Sequence, residues 1–188
     1  RFFAVTSTAE HQYYAAGFTT VGDDSQMAVA RFGATGGLDT TFGANGIATV
    51  NVAVGAGKKA ELARSVIVQS DGKIVVAGLI EHDTAATGDA ARDTDIAIVR
   101  LNPTGQLDQT FGTIGITRLD LSTGTASGTS FRGDTAWGLT LLPGNELLVI
   151  GGKRADGPGR TDSDYAVVKL TASGTVDPTF GTNGLVTL

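Results

Sequence analysis

Acidic side chains recur at fixed places in this sequence, and their spacing limits what they can do. Asp24, Asp93 and Asp162 stand two positions ahead of Gln26, Asp95 and Asp164. Residues i and i+2 of an extended chain share a face. Asp93 with Asp95, and Asp162 with Asp164, therefore present paired carboxylates where a strand begins. A hard cation such as calcium takes oxygen ligands of this kind. The spacing is not that of an EF-hand, which needs a Gly and a distant Glu, and the plainer use of such pairs is to cap and solvate a loop end. Asp24, Asp93, Asp95, Asp162 and Asp164 are the candidate ligand-binding residues. No cofactor is called for, and calcium is the one ion these residues would suit.

A second acidic set has a different neighbourhood. Asp39, Asp108 and Asp177 each precede a threonine by two positions, in Asp39-Thr-Thr41, Asp108-Gln-Thr110 and Asp177-Pro-Thr179. A short carboxylate there accepts bonds from backbone N–H groups two residues on and fixes a turn. Arg31, Arg100 and Lys169 stand eight residues before these aspartates, so an ion pair is expected in each copy. Phe42, Phe111 and Phe180 follow as expected plugs between sheets. Turn chemistry accounts for the whole set. Three equivalent calcium or sugar sites are the functional alternative.

Other apparent motifs fail on inspection. Gly55-Ala-Gly-Lys-Lys59 suggests a phosphate loop, but Val52 stands where the first glycine belongs and Lys59 where Ser or Thr belongs. His11 and His82 are isolated, and no Gly-x-Ser-x-Gly elbow exists. Trp137 falls in a strand, where packing is its simplest use. Carboxylates from separate parts of the chain could still converge on a glycosidic bond.

The elements that position these residues are repeats. LDTTFGANGI at 38–47 returns as LDQTFGTIGI at 107–116 and VDPTFGTNGL at 176–185, in a register of 69 residues. Residues 95–119 and 164–188 share 12 identities without a gap. ARSVIVQSDGKIVVAG at 63–78 matches AWGLTLLPGNELLVIGG at 136–152, with FAVTSTAEHQYYAAG at 3–17 as a weaker copy. The pattern predicts four strands per copy: 2–7, 12–18, 27–33 and 47–53; 64–69, 73–80, 95–101 and 115–120; 136–142, 146–152, 164–170 and 184–188. We name these strands a to d. Their cores are β-branched runs bounded by Gly, Asp and Pro. Apolar runs without polar alternation suit sheets covered on both faces. The fold class is all-β, three four-stranded antiparallel repeat units arranged as blades of a β-propeller. The blades span 1–54, 55–122 and 123–188. A sandwich would not need one unit three times, a β-helix would need shorter coils, and a β-solenoid is the remaining alternative.

DIAIVRLNPTGQLDQTFGTIG with VIVQSDGKIVVAG also resembles the bacterial delta-60 repeat, in three copies covering nearly the whole chain. The first copy departs from the pattern, with Glu10-His11-Gln12 in place of Asp-Gly-Lys, and the third has Gly144-Asn145-Glu146. The resemblance implies a large, exported, repetitive bacterial protein without an assigned activity, at the cell surface, in the periplasm or secreted.

Composition sets outer bounds. The 188 residues carry 27 glycines, no cysteine and a formal charge of −5. Disulfides and thiolate metal sites are therefore excluded, and the charge disfavours nucleic acid and anionic membranes as partners. No segment is apolar enough to insert into a bilayer. Thirteen of the nineteen acids fall beside the b–c and d–a connections, whose lengths vary among the copies. That end is the expected working face of a non-catalytic binding or scaffolding module, contacting a protein or glycan partner. A glycan-cleaving propeller enzyme and a purely structural assembly repeat are the alternatives. Propellers close with about four to eight blades. Three blades starting at Arg1 are thus expected to join others, from a longer chain or from a second copy.

Overall fold

The computed structural model describes residues 1–22, 24–52, 60–82, 93–122, 133–155 and 162–188. Within them lie β1 (Phe2–Ser7), β2 (Tyr13–Val21), β3 (Asp24–Phe32) and β4 (Ile47–Val50), paired in that order. The second blade comprises β5 (Glu61–Val68), β6 (Ile74–His82), β7 (Asp93–Leu101) and β8 (Ile116–Leu119). The third comprises β9 (Thr135–Leu141), β10 (Leu147–Arg154), β11 (Ser163–Leu170) and β12 (Leu185–Thr187). All neighbours run antiparallel. A single 3-10 turn at Pro143–Asn145 is the one helical element among the described residues. The architecture is all-β, with three blade-like four-stranded sheets.

Successive side chains of a strand point to opposite faces, and blade 2 uses both. Ile74, Val76 and Val99 join Tyr14, Met27 and Phe42 of blade 1 in one core. Val75, Ala77, Ile96 and Ile98 join Leu147, Val149 and Val168 of blade 3 in another. This explains the unbroken β-branched runs of β6 and β7. Each such side chain taken from water contributes roughly 1.5–3 kcal/mol.

Two backbone devices recur in every blade. The inner strand carries a bulge, at Phe2/Ala4, Ala63/Ser65 and opposite Ile150/Gly151. It drives a carbonyl over the neighbouring strand, so that a Cβ on Gly78 would sit 1.9 Å from the Leu62 oxygen. Only glycine fits there. The a–b turn needs one left-handed residue, met by His11 (φ 58°), Gly72 (φ 79°) and Asn145 (φ 63°). The departure of the first copy from Asp-Gly-Lys thus leaves the turn itself intact, since histidine and asparagine tolerate that region better than most residues.

Candidate functional site

The antiparallel order puts the a–b and c–d turns at one end of the array and the longer connections at the other. At the turn end, Asp39 Oδ1 accepts bonds from Thr41 N (3.0 Å) and Thr41 Oγ1 (2.6 Å). Asp108 does the same with Thr110 at 3.0 and 2.7 Å, and Asp177 with Thr179 at 3.0 and 2.7 Å. The second oxygen of each meets a cation. Arg31 Nη2 lies 3.0 Å from Asp39, Arg100 Nε 2.8 Å from Asp108, and Lys169 Nζ 2.9 Å from Asp177. Burial opposes ionisation of Asp108. The Thr110 donors with the Arg100 and Lys73 charges outweigh it and bring the pKa to about 2. The Thr179 hydroxyl, followed by Lys169, lowers Asp177 to about 2 as well.

The same turn joins one blade to the next. Arg31 Nη1 donates to the Pro103 carbonyl at 2.8 Å, and Arg100 Nη1 to the Ala172 carbonyl at 2.7 Å. Gly43 N donates to Thr104 O (2.9 Å) and Gly112 N to Ser173 O (2.8 Å). Phe42 and Phe111, both 0% exposed, lie under Gly105 and Gly174, where a Cβ would approach the ring to 3.1 and 2.6 Å. Each ring also has its own arginine over it, with the guanidinium carbon 4.9 or 4.5 Å from the ring centre. Phe180 is only half-buried. Among the described residues no following blade lies against it.

At the opposite end, Asp95 of β7, Asp120 just after β8 and Asp134 just before β9 offer oxygens all within 4.8 Å of one another. Asp95 and Asp134 are buried, while Asp120 is exposed. Three converging carboxylates are the ligand type a hard cation prefers. Asp134 already has work: its oxygens accept Leu121 N, Ser122 N and Ser122 Oγ. Ser122 Oγ in turn accepts Arg154 N at 3.1 Å. Glu61, equally buried, accepts Val52 N at 2.9 Å in the corresponding place between blades 1 and 2. A buried acid at the start of β5 (Glu61) or just before β9 (Asp134) therefore fastens the outgoing end of the previous blade, twice. Sequence reasoning missed this role. The available signal was that Glu61 and Asp134 both stand two residues before the alanine that opens the repeated block, Ala63 and Ala136.

The remaining sequence candidates are dispersed. Asp24 starts β3 and accepts Asn51 Nδ2 at 2.8 Å, and its other oxygen is buried without a partner among the described residues. Asp162 is exposed just before β11, its carbonyl bonded by Ala155 N at 3.1 Å. Asp164 faces Lys153 across the β10–β11 pairing. The side chain of Asp93 lies outside the described residues, as does the Gly55–Lys59 segment. Asp95 is gathered with Asp120 and Asp134, neither of which the Asp-x-Asp spacing indicated. Trp137 meets Tyr165 edge-on at 5.8 Å on the uncovered face of blade 3. No helix among the described residues is long and apolar enough to cross a membrane.

Residues 69–111 and 148–180 match a family described as a domain of unknown function (DUF5122) beta-propeller. The first segment runs from the a–b turn of blade 2 to Phe111, and the second from β10 to Phe180. None of the curated proteins searched matches the chain.

Proposed function

We propose that the chain is a non-catalytic binding or scaffolding module of an exported bacterial repeat protein of the delta-60 type. It meets a protein or glycan partner with the loop end of its blades. One observation carries this reading: the two ends use their polar groups differently. The turn end repeats the Asp–Thr turn and its ion pair in every blade, and in blades 1 and 2 it also bonds the following blade. At the loop end, the connections after β2, β6 and β10 span 22–23, 83–92 and 155–162. One scaffold thus offers a different edge in each blade, and loops held at one end of a rigid scaffold are a usual place for recognition. Exposed Asp120 and Asp162 give that end negative character.

The glycan-cleaving alternative needs two carboxylates free to face one substrate. Asp134 is engaged by Leu121 and Ser122, which makes it a poor acid or base. Calcium at Asp95, Asp120 and Asp134 would have to compete with the same bonds.

The test is a panel of glycans and basic proteins, probed with the wild-type chain, an Asp120→Asn/Asp162→Asn double variant, and Asp39→Asn at the turn end. The loop-end variant is expected to weaken the best binder about tenfold, equivalent to about 1.4 kcal/mol. Asp39→Asn should leave binding unchanged, as should added calcium or chelator. Release of sugar from any glycan, or equal losses in both variants, would overturn the reading.

A further inference from the structure

We propose that the outer face of blade 3 docks onto the outer face of blade 1 in a second copy of this chain, head to tail. The contact would be a third instance of the joint the molecule already makes twice. This goes beyond the proposed function, since it concerns blade faces and turns rather than the loop end.

Each internal joint has a giving and a receiving half. The giving half is a cation, a phenylalanine and the next glycine's N–H: Arg31, Phe42 and Gly43, then Arg100, Phe111 and Gly112. The receiving half is two carbonyls and a glycine in the following c–d turn: Pro103, Thr104 and Gly105, then Ala172, Ser173 and Gly174. One giving half and one receiving half are left over. Blade 3 ends in Lys169, half-buried Phe180 and exposed Gly181. The Lys169 ammonium has three donors, two of them directed to Asp177 and Glu146. Blade 1 offers Ala34, Thr35 and Gly36. Gly36 has φ 83°, the same as Gly174. Nothing lies within 4 Å of where its Cβ would be, whereas the equivalent points at Gly105 and Gly174 are filled by Phe42 and Phe111. The seat is formed and vacant.

The sheet faces agree. In blade 2, Val75, Ala77 and Ile96 are buried by the following blade, and their counterparts in blade 3 are Leu148, Ile150 and Tyr165. Ile150 and Tyr165 are 48% and 63% exposed. Ala63, Val66 and Ile74 of blade 2 are buried by the preceding blade, and their counterparts Phe2, Val5 and Tyr13 in blade 1 are all exposed. The two bare faces are therefore the opposite sides of one interface, not two copies of the same side. Such a contact is heterologous. It closes into a ring when the rotation allows, and two chains would supply six blades.

Sedimentation of the 188-residue chain tests this directly, with Val5→Glu and Tyr165→Glu as variants at exposed positions that leave the monomer's core untouched. The wild type is expected at twice the chain mass. A ladder of higher multiples upholds the joint with a different closure. Each variant alone should weaken association at least about 100-fold, because it buries an unpaired carboxylate. An equimolar mixture of the two should regain pairing, since Tyr165 of one variant can meet Val5 of the other. A wild type that stays monomeric at high concentration overturns the proposal and leaves these faces to blades outside this sequence. An association lost on Tyr165→Glu but indifferent to Val5→Glu overturns it in favour of a symmetric blade 3 contact.

Discussion

Blades 2 and 3 solve the same turn with opposite charge arrangements. In blade 2 the carboxylate stands between two cations, with Asp108 2.8 Å from Arg100 and 3.5 Å from Lys73. In blade 3 the cation stands between two carboxylates, with Lys169 2.9 Å from Asp177 and 3.0 Å from Glu146. Lys73 and Glu146 occupy the same a–b turn position, and Lys73 also lies 2.9 Å from Asp71 of its own turn. The Asp–Thr turn is constant and the charges around it are exchangeable. The arginine fork is not. Arg100 binds its own aspartate through Nε and the next blade's Ala172 carbonyl through Nη1, a division of labour that a single ammonium performs less well. Blade 2 is continued within the chain, whereas blade 3 carries the equivalent phenylalanine and glycine uncovered, with Lys169 in place of the arginine.

The largest effect that separates these blades should come from the rings. Phe111→Ala empties a fully buried site between Arg100 and Gly174 and is expected to cost about 3–5 kcal/mol. Phe180→Ala removes a half-buried ring and should cost about 1 kcal/mol when measured in the Val5→Glu background, where the chains are kept apart. Urea unfolding of both variants checks the difference. Equal costs would mean that the following blade contributes nothing to Phe111.

A finer comparison uses two glycines with one backbone conformation. Gly36 and Gly174 both have φ 83°, so alanine at either meets the same left-handed penalty of about 1–2 kcal/mol. At Gly174 the new Cβ would also lie 2.6 Å from the Phe111 ring, while at Gly36 it would meet nothing. Gly174→Ala should therefore be the worse by about 1–3 kcal/mol, the usual range for overpacking. Thermal melts of the two variants, again in the Val5→Glu background, give the number. Removal of the gap in a Phe111→Leu background would confirm that the ring is its source.

Much of this was legible in the sequence, and for identifiable reasons. The strands were readable because blade 2 buries both faces, leaving unbroken β-branched runs at Ile74–Ala77 and Ile96–Val99. The turns were readable because left-handed positions favour Gly or Asn, although His11 and Ile114 fill two of them. The eight residues between Arg100 and Asp108 are a local distance that one c–d turn closes. What crosses between blades was not readable. The Phe111–Gly174 seat joins residues 63 apart, and the carbonyls that Arg100 and Gly112 bond belong to backbone, which leaves no mark in side-chain spacing. The Glu61 and Asp134 clamps were hidden for a related reason. Both look like ordinary loop acids, set apart from exposed Asp120 and Asp162 by burial and, in the sequence, only by their shared spacing to Ala63 and Ala136.

The smallest effect lies in acid titration, and it tests the charge inversion itself. Asp108 and Asp177 both have native pKa values of about 2, against 3.8 for the ordinary group. A carboxylate whose folded pKa is depressed adds stability above its unfolded pKa, and loses it as pH falls through the folded one. Both aspartates should therefore stabilise the fold above pH 4, with the contribution fading between about pH 4 and pH 2. Asp108→Asn should narrow its difference from wild type across that same window. The inversion predicts a selective response to the a–b turn. Lys73→Met removes one of the two cations beside Asp108 and should raise its titration midpoint while leaving Asp177 where it was. Glu146→Gln removes a partner of Lys169, not of Asp177, so it should lower the raised pKa of Lys169 and move Asp108 not at all. Carboxyl-carbon NMR titration from pH 7 to pH 1.5 reads the acids, and side-chain nitrogen shifts read the lysine. If Lys73→Met moved Asp108 and Asp177 alike, the two turns would be coupled through a longer-range field. The blade-by-blade charge balance would then be the wrong description of them.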